Sequence, residues 1–166
     1  MYVVGQFPVF LRTHWAFLKT VINKLHEFMH EPHPGVQDMA SETYLKISKL
    51  TKEEFVKRNG KEEEPYVNVI IRDLPRICSR LEDHQKYMVY ESVAWMISSE
   101  PDFNQQDILV NNLLSNPHEE LMGMLNLANN DMNELFQNYN IKKIDTILKT
   151  NQRVADATGH IYLSYL

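Results

Sequence analysis

Three residues near the start of the chain have types and a spacing that could do chemistry. His26, Glu27 and His30 read H-E-x-x-H. On a helix that spacing sets two imidazoles one turn apart for zinc and brings a glutamate within reach of a metal-bound water, so the reaction would be hydrolysis. Two features weigh against it. His33 stands where the extended H-E-x-x-H-x-x-G-x-x-H form needs its glycine, and no strand-forming sequence surrounds the motif. A polar edge on a packed helix is the stronger reading. His14, His33, His84, His118 and His160 recur at no ligand-like interval, and the chain has no G-x-S-x-G, no Walker A and no dinucleotide turn among its five glycines. The reading is therefore no enzyme, no metal and no cofactor, with a zinc hydrolase as a remote third alternative.

The element that carries this motif is more informative than the motif. Phe10 to Glu31 reads as one long amphipathic helix with two apolar seams. Leu11, Trp15, Leu18, Ile22, Leu25 and Met29 alternate in steps of four and three, as a core stripe does. Phe10, His14, Phe17, Val21, Lys24 and Phe28 repeat the pattern one residue earlier. Together the seams cover on the order of 200° of the helix, more than one neighbouring helix can bury. Such a helix needs two neighbours, or one neighbour and a ligand. The second seam could simply fill a core between repeats, but Lys24 among phenylalanines must snorkel or pair.

Helical patterns continue along the chain. Pro8 suits a first turn, and Met1 to Gly5 reads as the tail of a preceding helix. Pro32, Pro34 and Gly35 break the long helix, and Val36 to Leu50 forms the next, with Met39, Thr43, Leu45 and Ile47 available for packing. Thr51 with Glu54 reads as a capping box opening an extension to about Lys57. After a charged loop from Asn59 to Glu64 comes a helix from Pro65 to Leu81, kinked at Pro75, and one from His84 to Ser99 capped by Asp83. Asp102 with Gln105, and Asn116 with Pro117 and Glu119, signal two more starts, giving Gln105 to Leu114, His118 to Ala128, Asn130 to Gln137 and Ile141 to Thr158. No period-two run or Asn-Gly turn signals a strand. The fold class is all-α, and helix pairs beginning near residues 8, 65 and 104 suggest stacked units of the length of HEAT-type repeats.

Bulk properties exclude several classes. The chain has 166 residues, 43% of them hydrophobic and 23% charged, with no apolar run of the ~18 residues a membrane span needs. A formal charge of −5 argues against direct nucleic-acid binding. Cys78 is the single cysteine, so no disulfide can form within the chain; this suits a reducing compartment, and its apolar helical surroundings predict a buried, inert thiol.

The runs Met1 to Glu31 (MYVVGQFPVFLRTHWAFLKTVINKLHEFMHE), Gly35 to Ala40 (GVQDMA) and Ile147 to Val154 (ILKTNQRV) resemble the exportins, nuclear export receptors of the importin-beta (karyopherin) superfamily. The likeness is dense to Ile47, sparser from Pro65 to Glu100 and thin afterwards. It implies a central-to-C-terminal fragment of an α-solenoid of antiparallel helix pairs, with approximate HEAT-like repeats at 8–58, 65–100 and 102–158, incomplete at both ends, and Met1 inside a longer protein. It also implies a function: binding leucine-rich nuclear export signals of cargo proteins in transport that depends on Ran-GTP, with contacts to nucleoporins and shuttling between nucleus and cytoplasm.

Carried over by residue, the resemblance makes Met1, Phe17, Thr20, Val21, Leu25 and Phe28 the apolar wall of the signal groove. Met39 closes it from the next helix, and Lys24 is the basic residue at the narrow end. The mode is a helix in a groove. The opposite wall would lie before Met1, so this half should bind signals weakly or not at all. Ala16 replaces a common lysine and His26 a common aromatic, which also makes the H-E-x-x-H match look accidental. Thr158 to Leu166 resembles a next repeat with much of its first helix deleted, an apolar end that invites self-association. The alternative is a HEAT-like interaction scaffold without signal binding.

Overall fold

The computed structural model describes residues 8–130 and 132–165. The described residues are mostly helical, and no strand occurs among them. Nine α-helices follow one another there: α1 (Pro8–Thr13), α2 (Trp15–Phe28), α3 (Pro34–Thr51), α4 (Tyr66–Ile77), α5 (Asp83–Ile97), α6 (Phe103–Asn130), α7 (Met132–Leu135), α8 (Asn138–Thr158) and α9 (Ile161–Tyr165). Helix α2 packs on α3, α4 on α5, and α6 on α8, while α3, α5 and α8 stand side by side as a second layer. This is the antiparallel, two-layer arrangement of a HEAT-like solenoid.

Helix α5 sits at the centre, touching α3, α4, α6 and α8. Its burial extends around the helix, through Val89, Val93, Ala94, Met96 and Ile97 and also Gln85 and Ser92. Glu91 is buried too, and pairs with Lys49 of α3 at 2.7 Å and with Arg153 of α8 at 3.3 Å, so one carboxylate ties the three helices of the layer together.

The core stripe of the first long segment is as its spacing predicts: Leu11, Leu18, Ile22, Leu25 and Met29 are buried and Trp15 is packed at the core's edge. The segment is two helices, however, because side chains displace the backbone at the joint. Thr13 Oγ1 donates to the carbonyls of Val9 and Phe10, and His14 Nδ1 lies 2.9 Å from the Phe10 carbonyl. That carbonyl would otherwise take the His14 amide. His14 instead leaves helical geometry (φ −126°, ψ 72°), and its own carbonyl receives the first amides of α2. The Met1 to Gly5 expectation lies outside the described residues.

Other boundaries move for equally local reasons. Thr51 Oγ1 donates back to the Ile47 carbonyl at 2.8 Å instead of capping forward, so only a 3-10 turn, Lys52–Glu54, follows α3. On α3 the buried apolar residues are Ala40, Tyr44 and Ile47, while Met39 is exposed. The face is set by α2 and α5 flanking α3 on two sides. Pro75 falls in the last turn of α4, which ends at Ile77 rather than Leu81. The cap of α5 is Glu82, whose amide donates to Gln85 Oε1 at 2.9 Å, and Asp83 is the first helical residue. Asp102 does cap as predicted, its carboxylate accepting the amides of Asn104 and Gln105. Asn116 and Pro117 start nothing: α6 runs through them without a break. A proline costs a helix about 3 kcal/mol. Breaking α6 there would sacrifice more, since Leu109, Val110, Leu113 and Leu114 before it and Met124 after it are all buried. Gly159, with φ at 61°, ends α8 where a side chain would be strained.

The loop from 59 to 64 is fastened to α2. Glu62 accepts from Trp15 Nε1 at 3.0 Å and from Lys19 Nζ at 2.7 Å, and Lys19 also lies over the Tyr66 ring. Tyr66 donates to Asn23 at 2.6 Å. These contacts fix α2 against the next helix pair and set the direction of its outer face.

Candidate functional site

The second seam of the first segment is the outward face of α1 and α2. Phe10 and Phe17 are nearly half exposed, at 46% and 45%. Phe10 stacks on His14 with ring centres 4.0 Å apart and meets Phe17 edge to face at 5.5 Å. An aromatic strip thus crosses the break between the helices, which the tight turn at His14 brings into register. Phe28 continues the strip about three turns beyond Phe17, half-buried against the core.

The other expected site residues divide into two sets. Thr20 and Lys24 are exposed on the same side, Thr20 Oγ1 donating to the Ala16 carbonyl at 2.9 Å and Lys24 paired with Glu27 at 2.6 Å. Lys24 thus meets the demand for a partner on its own helix and remains in water. Met39 of α3 is 45% exposed. Val21 is buried at 7% exposure and Leu25 has no exposed surface. These two form the floor under the strip, with Val21 at its lower edge and Leu25 inside the core. Met1 lies outside the described residues. Phe10 was absent from the expected wall although the second seam includes it; its spacing to Phe17, seven residues, was the available signal.

The H-E-x-x-H residues do not converge. His26 is buried, with Nε2 unpartnered and its ring edge-on to Tyr44 at 5.0 Å. Burial, and next the positive charge of Arg76, hold its pKa down to about 4, so it is a neutral packing ring. His30 has both ring nitrogens within hydrogen-bond distance of carbonyls, those of His26 at 2.8 Å and Arg76 at 2.9 Å. Glu27 points to solvent with Lys24. No group of three His, Cys, Asp or Glu side chains that could hold a metal ion gathers among the described residues. At Cys78 burial pushes the thiol up to about 12, which suppresses the thiolate. No helix among the described residues is long and apolar enough to cross a membrane.

What this face offers is a row of apolar and aromatic side chains along α1 and α2 with Lys24 beside it. It can dock apolar side chains.

No protein-family model matches the chain. Curated proteins do. Exportin-1 of Dictyostelium discoideum is 40% identical over 166 residues, covering 100% of this chain and 16% of the relative. Protein EXPORTIN 1A of Arabidopsis thaliana is 43% identical over the same 166 residues, or 15% of its own length. Exportin-1 of Drosophila melanogaster is 40% identical, again over the whole chain and 16% of the relative. The aligned region thus includes the last third, where the sequence motifs were thin. Over its whole length the chain is exportin-1-like, and it spans 15–16% of the length of these relatives.

Proposed function

We propose that this chain contributes one wall of a groove that binds leucine-rich nuclear export signals, within a nuclear export receptor of the exportin-1 type. The observation that carries this reading is the exposed aromatic strip of α1 and α2. Phe17 keeps 45% of its surface accessible on a helix whose other seam is buried at Leu18, Ile22 and Leu25. An amphipathic signal helix has apolar anchors at i, i+3 or i+4, and i+7, which suits a strip running from Phe17 past Val21 to Phe28 with Met39 beside it. Each buried anchor contributes about 1.5 to 3 kcal/mol, most of it offset by the ordering of the peptide. Lys24 stands at the end of the strip nearest Phe28 and reads the polar edge of the signal.

On this reading the groove's second wall comes from outside the chain, and the approximate repeats are 8–58, 65–100 and 102–158. The whole receptor couples signal binding to Ran-GTP, each raising the affinity of the other, and passes between nucleus and cytoplasm by contacting nucleoporins. Its work is binding, with no enzymatic step.

A second reading, a HEAT-like interaction scaffold that does not bind export signals, is favoured by one feature: the Lys24 ammonium is already paired with Glu27 at 2.6 Å. Anisotropy titration of a labelled leucine-rich peptide separates the two, with this segment placed in a full-length exportin-1 background. Saturable binding that drops at least tenfold in Phe17→Ala with Phe28→Ala supports the groove. Undiminished binding in that double variant, or none by the folded parent, moves the function to the scaffold.

A further inference from the structure

A second cleft, on the side of α4 that faces α6, is independent of the α2 strip. Helix α4 packs on α5 but only lightly on α6, and two cavities of about 560 and 430 Å³ open along this side, meeting at Leu74, Pro75 and Asn116; the smaller is also lined by α5 and α8, with Lys86 held 3.6 Å from Asp83. The floor is apolar, with Ile71 and Leu74 from α4 and Leu109 and Leu113 from α6. Its rim offers unused polar groups. Among the described residues the side chains of Asn112, Asn116 and Glu119 make no hydrogen bond or ion pair, whereas the rim charges Arg72 and Glu64 neutralise each other.

Pro75 and Pro117 lack the amides that would bond the carbonyls four residues earlier, those of Ile71 and Leu113. Both residues line the cleft, one on each wall. Asn112 and Asn116, one helical turn apart, are separated by ~6 Å along α6, close to the ~6.8 Å between residues i and i+2 of an extended strand. Side-chain amides at that interval can each donate to and accept from successive backbone groups on one edge of such a strand.

We propose that the α4–α6 cleft binds an extended peptide segment of a partner protein. Asn112 and Asn116 hold its backbone, alternate apolar side chains enter the floor between Leu74 and Leu109, and a lysine or arginine pairs with Glu119. The unpaired carboxylate of Glu119, with Glu120 beside it bearing only a 3.5 Å contact to Lys143, selects a basic residue over an acidic one.

The probe is a fluorescein-labelled decapeptide of alternating valine and serine ending in Lys-Arg, titrated against the full chain, with the same peptide ending in Glu-Glu as comparison. The expected result is saturable binding of the basic peptide, weakened at least tenfold in Asn112→Leu with Asn116→Leu and in Glu119→Lys, and none of the acidic one. Equal affinities for the two peptides, or for the parent and the variants, overturn the proposal, as does absence of saturable binding. A second measurement needs no variant: in the unsubstituted chain the side-chain amide resonances of Asn112 and Asn116 shift as the basic peptide saturates, and unmoved resonances at saturation overturn the assignment.

Discussion

His26 occupies the core of the α2–α3 contact without a partner for Nε2, and its pKa is held near 4 against an ordinary 6.5, chiefly by burial. A histidine whose pKa is lowered on folding leaves stability intact above the unfolded value. As pH falls through 6.5 the unfolded chain takes up a proton that the folded chain refuses, and stability drops until about pH 4. The expected loss is on the order of 3 kcal/mol by the lower end of that window. His26→Phe should flatten this part of the urea midpoint against pH profile and raise stability at neutral pH by about 1 kcal/mol, since an unsatisfied buried nitrogen is removed. Glu91 is the opposite case, a buried acid whose neighbours hold it. Glu91→Ala should cost about 1 to 2 kcal/mol, a figure reduced because Lys49 and Arg153 are themselves partly in water. A double-mutant cycle with Lys49→Met would isolate the pair. At this scale the sequence was legible where packing alone decided: Leu18, Ile22, Leu25 and Met29 follow their spacing into the core. It was illegible where a side chain competed with the backbone, as at Thr13, His14 and Thr51, because the choice between capping forward and bonding backward depends on geometry that spacing does not contain.

Among the elements, α6 departs most from its sequence signals. Asn-Pro followed by acids is a strong local start, yet the helix passes through Pro117 because apolar residues on both sides of it are held in one layer. Pro117→Ala should therefore stabilise the chain, by about 1 kcal/mol or more, as the Leu113 carbonyl regains a helical donor. The measurement is thermal unfolding followed by helicity. A fall in midpoint would mean that the proline relieves some crowding at the α6–α8 contact. Helix α2 gave a clearer signal. Its double seam implied two neighbours, or one neighbour and a ligand, and the structure packs it on α3 while leaving Phe17 exposed on its outer side. Which residues of the second seam stay exposed was not legible, since Val21 belongs to the same pattern as Phe17 and differs only by the few tens of degrees that α3 covers. Met39 shows the same limit, expected both as packing and as a groove residue and found 45% exposed.

For the molecule as a whole, the all-α class and the helix pairing were readable from periodicity, and the solenoid from the exportin resemblance. The last third was least readable, because the stretch from α7 through α8 carries exposed apolar residues, Phe136 in the turn and Ile141 and Leu148 on α8. On the groove reading, function depends on the outer face of α2. Phe17 is nearly half exposed, so Phe17→Ala should change folding stability by less than about 1 kcal/mol while removing an anchor worth about 1.5 to 3 kcal/mol of signal binding. That separation makes the central claim testable in one titration: a labelled leucine-rich signal peptide against a full-length exportin-1 background carrying this segment, with and without Phe17→Ala. The groove reading predicts saturable binding by the parent and an affinity about tenfold lower or worse in the variant, at unchanged helicity. Equal affinity in the two proteins would contradict it.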